Sequence, residues 1–316
     1  MKLIITGGCG FIGSNFIRYW MDKYPDDEIL NLDKLTYAGN TNNLGDYTKK
    51  ENYCFYHGSI NNPKILDNIL SRNIDCIVNF AAESHVDRSI DNSNSFIESN
   101  FLGVHSILEA ILRNKKQLRL VQISTDEVYG SLELESNDKF TENRILSPNN
   151  PYSASKAAAD LLVKSYVKTY GIDACITRCS NNYGPNQYPE KLIPLMVKKA
   201  TSNEFLPLYG DGLNVRDWIY VLDHCRAIDC VIRKGKTGEI YNIGDNNEIS
   251  NKDMVKKILR ILGKDESLIK YVEDRLGHDR KYAISYDKIN KDLGWYPEFD
   301  FNTFFEKTIK DMSSLY

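Results

Sequence analysis

The sequence has no long hydrophobic run and no excess of charge of one sign. With a formal net charge of −3, no overall basic field favours nucleic acid or an anionic membrane surface as a partner. No apolar run approaches the roughly 20 residues that cross a bilayer. A strand is predicted from the first residues, which is expected to leave no room for a cleavable signal. These absences favour a globular cytoplasmic protein that acts on small molecules.

Cysteine and histidine are few and scattered. The seven cysteines contain no C-x-x-C pair, and most lie within apolar runs. The five histidines form neither H-x-x-H nor H-E-x-x-H. This pattern is typical of buried, reduced thiols in the cytosol rather than of disulfides or a zinc site, so no metal is expected.

The first half of the chain alternates short apolar segments with helical patterns, which predicts an α/β fold with a doubly wound parallel sheet. Strands are predicted at 2–6, 28–33, 53–56, 75–80, 118–124 and 173–178. Helices are predicted at 13–24, 63–72, 95–114 and 152–170, and again near 190–202, 222–234 and 250–262. After residue 179 proline, glycine, asparagine and tyrosine become frequent, which indicates a second, smaller α/β lobe. We therefore expect a nucleotide-binding domain at 1–178, with 215–242 returning to it, and a substrate-binding lobe at 179–316.

Glycines directly after the first strand have the spacing of a dinucleotide site. Gly7, Gly10 and Gly13 would allow a tight turn and a close approach of the backbone to a pyrophosphate at a helix N-terminus. Asp33 ends the second strand, where a carboxylate accepts hydrogen bonds from ribose hydroxyls and repels a 2′-phosphate. The pattern predicts a Rossmann domain that binds NAD rather than NADP. Lys34, a neighbouring cation, is the one feature that favours NADP.

A hydroxyl and two carboxyls follow the strand at 118–124, where open α/β sheets place their ligands. Oxidation of an alcohol needs only a hydroxyl donor such as Thr125. The additional acids Asp126 and Glu127 imply a second reaction, in which one proton is removed and another delivered. The alternative interpretation is an acidic pair that caps a turn.

Tyr152 and Lys156 lie four residues apart at the start of a predicted helix and so share one face. A nearby ammonium group and a positively charged nicotinamide both favour the phenolate of a tyrosine, whose usual pKa is about 10. The phenolate can then accept the proton of a sugar hydroxyl during its oxidation. Tyr19 and Lys23 have the same spacing, but in the first helix they fit a surface pair.

Together these motifs resemble the extended short-chain dehydrogenase/reductases that act on nucleotide sugars, and among them the 4,6-dehydratases. The resemblance spans almost the whole chain, through segments 7–14, 33–40, 81–89, 124–130, 151–156, 178–187, 209–218 and 274–280. It implies conversion of dTDP-glucose to dTDP-4-keto-6-deoxyglucose and water, with NAD as cofactor. It also implies a homodimer, formed by a four-helix bundle of the helices near 100–114 and 152–170. An apolar stripe on the first of these helices also fits burial against its own sheet.

The resemblance implies a role for each group at the strand end. Oxidation at C4 makes a ketone that acidifies the C5 proton, which Glu127 removes as general base. Asp126 protonates the C6 hydroxyl, which leaves as water, and hydride returns to C6. Thr125 and Tyr152 hold the C4 oxygen.

Two sets of binding residues are also implied. The cofactor set is Gly7, Gly10, Phe11, Ile12, Gly13, Asp33, Lys34, Thr36, Gly39, Ser59, Ile60, Ala81, Ala82, Ser84, Asn100, Tyr152 and Lys156. The substrate set is Ser84, His85, Thr125, Asn181, Glu190, Lys191, Leu192, Pro207, Tyr209, Arg216, Asn251, Arg275 and His278. Related proteins often carry Asp-Ile where this chain has Ser59-Ile60, which predicts a weaker contact with adenine.

Three alternative functions remain at this stage. A nucleotide-sugar epimerase or decarboxylase needs only Thr125, Tyr152 and Lys156, and usually lacks acids at 126 and 127. A dehydratase for a CDP-, UDP- or GDP-linked sugar shares the chemistry and differs in its base pocket. A non-catalytic NAD-binding regulator tends to lose the Tyr/Lys pair, which this chain keeps.

Overall fold

A seven-stranded parallel sheet forms the centre of the computed structural model, which describes residues 1–316. The strands are β1 (Lys2–Thr6), β2 (Glu28–Asp33), β3 (Tyr53–His57), β4 (Cys76–Asn79), β5 (Arg119–Thr125), β6 (Ala174–Cys179), β7 (Asn181–Tyr183), β8 (Leu206–Tyr209), β9 (Val215–Tyr220), β10 (Ile240–Ile243), β11 (Glu248–Ser250) and β12 (Ile269–Val272). The order across the main sheet is β3-β2-β1-β4-β5-β6-β10. The first six strands confirm the predicted parallel sheet.

Helices cover both faces of this sheet and build most of the second lobe. They are α1 (Phe11–Lys23), α2 (Pro63–Leu70), α3 (Val86–Asp91), α4 (Asn94–Phe96), α5 (Gly103–Arg113), α6 (Pro151–Tyr170), α7 (Leu192–Thr201), α8 (Val221–Lys234), α9 (Asn251–Ile261), α10 (Asp287–Leu293) and α11 (Phe301–Ser313). One face of the sheet is covered by α1, α8 and α10, and the other by α2, α5 and α6. Because both faces are covered, the strands are continuous apolar runs rather than alternating ones.

The helix that carries the predicted Tyr/Lys pair has clear start and stop signals. Asn150 accepts a hydrogen bond from the Ser153 amide and forms a capping box with it, and Pro151 occupies the first turn. Gly171, with φ of +68°, ends the helix in the left-handed region that favours glycine. This fixed start determines where Tyr152 lies relative to β5.

The single helix predicted at 95–114 is wrong in detail. It is divided into α4, a π-helical segment Ile97–Leu102 and α5. A π-helical turn adds a residue to the helical repeat, which no hydrophobic periodicity reveals.

The second lobe consists of a three-stranded sheet, the β8–β12 pair, and α7, α9 and α11 around their own apolar core. In this small sheet β9 pairs with β7 and β11, whereas α8 packs into the core of the main sheet. Ile289, Leu293 and Trp295 also lie in the core of the first domain. All seven cysteines are free thiols, and no helix combines the length and apolar character needed to cross a membrane.

Candidate active site

The glycine-rich turn between β1 and α1 brings three segments of backbone into close contact. Gly7 has φ of +68°, and a Cβ on it would lie 2.7 Å from the amide nitrogen of Ala81. A Cβ on Gly13 would collide with the carbonyl oxygen of Gly7. Gly10 caps α1 without a side-chain hydrogen bond, so the first amides of the helix are free to bind an anionic ligand.

Asp33 lies at the carboxyl end of β2 and is fixed by two backbone hydrogen bonds. Its carboxylate oxygens accept the amides of Cys9 and Leu35, both at 2.8 Å. Burial raises the pKa of Asp33, and these two hydrogen bonds oppose that shift. Leu35 has φ of +52°, a strained backbone that aims its amide at the carboxylate. The side chain is thus oriented before any ligand arrives.

One long cleft runs along the carboxyl ends of the central strands, between the two lobes. It is lined by most of the predicted cofactor set: Gly7, Gly10, Phe11, Ile12, Gly13, Asp33, Lys34, Thr36, Gly39, Ser59, Ile60, Ala81, Ala82, Ser84, Tyr152 and Lys156. Asn100 lies behind the wall instead. Its amide hydrogen-bonds both backbone groups of Glu83 and the hydroxyl of Ser155, each at 2.9 Å. Asn100 therefore holds the cleft wall in place.

The predicted catalytic groups meet at the deep end of this cleft. Thr125, Asp126 and Glu127 follow β5, and Tyr152 and Lys156 approach from the first turns of α6. The ammonium of Lys156 donates a hydrogen bond of 2.6 Å to the carbonyl oxygen of Ile123 on β5. This bond connects the helix to the strand that carries the acids.

The protein surroundings of Tyr152 favour its neutral form. Burial raises the pKa of Tyr152 well above its usual value, and the negative charges of Glu127, Cys179 and Asp126 add to the shift. Burial also lowers the pKa of Lys156. A positively charged ligand in the cleft, such as the nicotinamide expected from the sequence, would favour the phenolate against these terms.

Asp126 and Glu127 have different surroundings. Asp126 is 1% exposed, and one of its carboxylate oxygens has no hydrogen-bond partner. Burial raises its pKa strongly, and the charges of Glu127 and Asp217 raise it further. Burial also raises the pKa of Glu127, but the cations Arg216, Lys191 and Arg275 oppose that shift. Burial and neighbouring carboxylates thus favour the neutral form of Asp126, whereas three cations favour the ionised form of Glu127.

The predicted substrate residues fall into two groups. Those that line the cleft are Ser84, Thr125, Asn181, Glu190 and Lys191. Lys191 donates a hydrogen bond of 2.7 Å to the carbonyl oxygen of Ser84. Leu192 follows it as the first residue of α7. His85 lies close by, with Nε2 3.9 Å from the carboxylate of Glu190.

The remaining substrate residues lie in the second lobe beside the acids. Arg216 donates to the carbonyl oxygen of Asp279 at 3.0 Å, with its guanidinium 4.1 Å from the ring centre of Tyr282. Arg275 lies 3.4 Å from the carboxylate of Asp87. His278 packs edge-on against the ring of Tyr209.

Pro207 and Asn251 complete this second group of predicted substrate residues. Pro207 lies on β8, the strand that ends at Tyr209. Asn251 is the first residue of α9, and its backbone amide donates a hydrogen bond to the carbonyl oxygen of Asn214.

Several residues of the site were not predicted. Ser180, Asn182, Gln187 and Tyr188 line the cleft. All four lie within or next to the segment 178–187, which was recognised as a motif without roles for them. Asp217 directly follows Arg216 in the motif at 209–218.

The site can be compared with those of known proteins. Residues 4–308 match the family model described as GDP-mannose 4,6 dehydratase. The chain belongs to this family. The chain is similar to the low-salt glycan biosynthesis protein Agl12 of Haloferax volcanii, 50% identical over 95% of both chains. A dTDP-glucose 4,6-dehydratase of Escherichia coli is 46% identical over 98% of this chain and 92% of its own.

A solved structure supports the same placement in the dehydratase family. The dTDP-glucose 4,6-dehydratase DesIV of Streptomyces venezuelae, determined with NAD bound, has a TM-score of 0.94 and 46% identity. The similarity covers 98% of this chain and 96% of that one. The fold is therefore that of the extended nucleotide-sugar short-chain dehydrogenase/reductases.

Proposed function

We propose that this protein converts dTDP-glucose to dTDP-4-keto-6-deoxyglucose and water, with NAD as its cofactor. The observation that carries the proposal is the meeting of Asp126, Glu127 and Tyr152 at the deep end of one cleft. The names and bound cofactor of relatives near 46% identity support both the reaction and the substrate.

The cleft fits NAD on its own geometry. Gly7 and Gly13 let the turn pack tightly against Ala81 and against itself, and the uncapped start of α1 suits a pyrophosphate. The pre-oriented carboxylate of Asp33 suits an unphosphorylated ribose. We assign the predicted cofactor residues that line this cleft to NAD, with Asn100 supporting the wall. NAD supplies the oxidant for C4 and, in its reduced form, the reductant for C6.

The side chains supply the proton transfers of the dehydration. Tyr152 and Thr125 hold the C4 oxygen, and the phenolate takes its proton during oxidation. Glu127 then removes the C5 proton, which the C4 ketone has acidified. Asp126 delivers a proton to the C6 hydroxyl, so that the C–O bond breaks and water leaves. One base and one acid, held side by side, account for the proton lost and the proton gained.

The cations around Glu127 suit the pyrophosphate of the substrate. Lys191, Arg216 and Arg275 all act on the carboxyl of Glu127 and therefore converge near it. Phosphate oxygens are strong acceptors for such groups. We place the nucleoside farther out, toward Pro207, Tyr209 and Asn251.

An epimerase or decarboxylase is the second candidate, because it would use the same Tyr152 and Lys156. Reduction at the same carbon would leave Asp126 and Glu127 without a role, although both line the cleft beside Tyr152. The decisive experiment incubates purified protein with dTDP-glucose and with the UDP-, CDP- and GDP-linked sugars. A 4-keto-6-deoxy product from dTDP-glucose is expected, and a C4 epimer would contradict the proposal.

We also propose a homodimer built from α5 and α6. The stripe predicted on α5 packs into its own domain, since Val104, Ile107 and Leu108 are buried there. Apolar side chains remain exposed nearby, with Leu161 on α6 at 57% and Leu102 before α5 at 45%. Light scattering should give the mass of a dimer for the native chain and of a monomer for Leu161→Glu.

Two further proposals concern the domain organisation and the location of the protein. We propose that residues 1–178, with the return through α8 and β10, form the NAD-binding domain and that most of 179–316 forms the sugar-nucleotide lobe. The seven unpaired thiols favour the reducing cytoplasm.

A further inference from the structure

A single loop of the second lobe, residues 184–191, passes over the cleft in which the cofactor is proposed to bind. Gln187, Tyr188, Glu190 and Lys191 of this loop line the cleft. The loop is a connection between β7 and α7, and so it belongs to neither the main sheet nor its helices. The contacts between this loop and the first domain therefore determine whether the cleft is open or closed.

The first half of the loop is attached to α1 and its surroundings. The side-chain amide of Asn15 donates to the carbonyl oxygen of Pro185 at 2.9 Å. The amide of Asn186 donates to the hydroxyl of Ser14 at 3.3 Å and to the carbonyl oxygen of Asn43 at 3.2 Å. These contacts lie beside the glycine-rich turn.

The second half is attached through Glu190, whose two carboxylate oxygens have different partners. One accepts the hydroxyl of Tyr37 at 2.8 Å. The other lies 3.2 Å from the guanidinium of Arg88 on α3. Arg88 also stacks on the ring of Tyr37, 3.8 Å from its centre. Three segments that are distant in sequence thus meet in one triad.

The three residues hold the loop through contacts that are individually weak, so the loop can also be released. The side chain of Arg88 is 51% exposed, and ion pairs with an exposed partner contribute little on their own. Burial raises the pKa of Tyr37, so its hydroxyl stays a neutral donor at physiological pH. The hydrogen bond from the neutral Tyr37 hydroxyl to the Glu190 carboxylate can therefore break without separating two opposite charges.

We propose that Tyr37, Arg88 and Glu190 form a clasp that closes loop 184–191 over the cleft and retains NAD between the two half-reactions. The proposal rests on the proposed function, in which the reduced cofactor must stay bound until it reduces the same sugar. An enzyme that lost it after oxidation at C4 would release an unfinished intermediate. A dehydrogenase that exchanges its cofactor every turnover has no need of such a closure.

The test compares Tyr37→Phe and Arg88→Met with Tyr47→Phe. Tyr47 is a matched control, because its hydroxyl also bonds a carboxylate, that of Asp22 at 2.6 Å, and its ring lies beneath Lys50. Its hydroxyl bonds no residue of loop 184–191. Release of NAD is measured from protein purified with its cofactor, by following exchange against isotopically labelled NAD. Escape of reduced cofactor during turnover is measured with an enzyme that consumes only free NADH.

Both clasp variants should release NAD roughly five- to tenfold faster than the native protein, while Tyr47→Phe should match it. Free NADH should appear during turnover in the clasp variants only. Release within twofold of native in both variants would overturn the clasp. Native protein that binds no NAD and converts no nucleotide sugar would instead overturn the proposed function. Tyr37→Phe keeps the ring that stacks on Arg88, so loss of folding is not expected, and thermal unfolding checks it.

Discussion

Asp126 and Glu127 are adjacent in the chain, yet their carboxyl groups have opposite electrostatic surroundings. Beyond burial, the carboxylates of Glu127 and Asp217 outweigh one cation at Asp126, whereas three cations act on Glu127. The first environment favours the neutral acid and the second favours the ionised base. Two identical functional groups can therefore perform opposite proton transfers in one site.

Replacement of each acid should interrupt the reaction at a different step. Glu127→Gln should lose exchange of the C5 hydrogen with solvent, because no base removes it. Asp126→Asn should retain that exchange and fail to expel water. Each should lower product formation by about 10²- to 10⁴-fold while NAD binding is unchanged. Nuclear magnetic resonance in D₂O measures both the C5 exchange and the formation of product. Near-native turnover in either variant would contradict the role assigned to that acid.

The rate should depend on pH through both carboxyls. Activity requires Glu127 ionised and Asp126 protonated, so it should fall at low pH and again at high pH. Burial raises the pKa of Asp217 to about 6, so at neutral pH its charge is present beside Asp126. Asp217→Asn should lower the pKa of Asp126 and move the alkaline limb toward acid by about half a unit or more. The exposed Asp67→Asn is the control, and an unmoved alkaline limb would contradict the coupling.

Tyr152 should ionise only when a positive ligand is present. Burial holds its pKa well above 10 in the chain alone, so its phenolate should be absent below that pH. Oxidised NAD should lower the pH at which the phenolate absorbance appears. The difference spectrum between native protein and Tyr152→Phe isolates this residue. A phenolate at neutral pH without cofactor would show that Lys156 alone is sufficient.

Much of the fold could be predicted because the central strands are buried on both faces. Lys2–Thr6 and Glu28–Asp33 are apolar runs with sharp ends, and both were predicted at their observed bounds. The short strands of the second lobe were missed, since three-residue strands such as β7 and β11 carry no periodicity. Tyr19 and Lys23, interpreted as a surface pair, do share a hydrogen bond of 2.8 Å on α1.

The candidate site was predictable only where it is local in sequence. Thr125, Asp126 and Glu127 are consecutive, and Tyr152 and Lys156 are one helical turn apart. The approach of Arg216 and Arg275 to Glu127 depends on how the second lobe packs on the first. Their roles came from resemblance, and no spacing in the sequence encodes that packing.

His224 should make the protein less stable in acid. It is fully buried, its pKa is lowered to about 3 by burial, and its Nδ1 lies 2.9 Å from the side-chain oxygen of Asn182. The unfolded chain binds a proton below about pH 6.5 and the folded chain does not, so stability falls as pH drops through that range. The loss is roughly 2 kcal/mol at pH 5. In urea unfolding, His224→Gln should flatten this dependence by about one proton, and an unchanged slope would contradict it.

Replacing only one partner of the buried ion pair near Lys156 should lower the free energy of unfolding substantially. Arg178 and Asp160 are almost fully buried and lie 2.8 Å apart. Arg178→Met leaves an unpaired buried carboxylate and should cost about 3–5 kcal/mol, most of it recovered by adding Asp160→Leu. The exposed pair Arg113–Asp67 is the control, and Arg113→Met should cost less than about 1 kcal/mol. Equal costs in urea unfolding would argue against burial as the cause.

The last strand of the main sheet, β10, is supplied by residues more than sixty positions beyond β6, its hydrogen-bonded neighbour. During synthesis β6 therefore leaves the ribosome with one edge open, and the whole of β7 to α8 must emerge before that edge is covered. A nascent chain halted between the two strands would expose a ready template for intermolecular pairing. The order of translation thus delays completion of the main sheet until most of the second lobe has been synthesised.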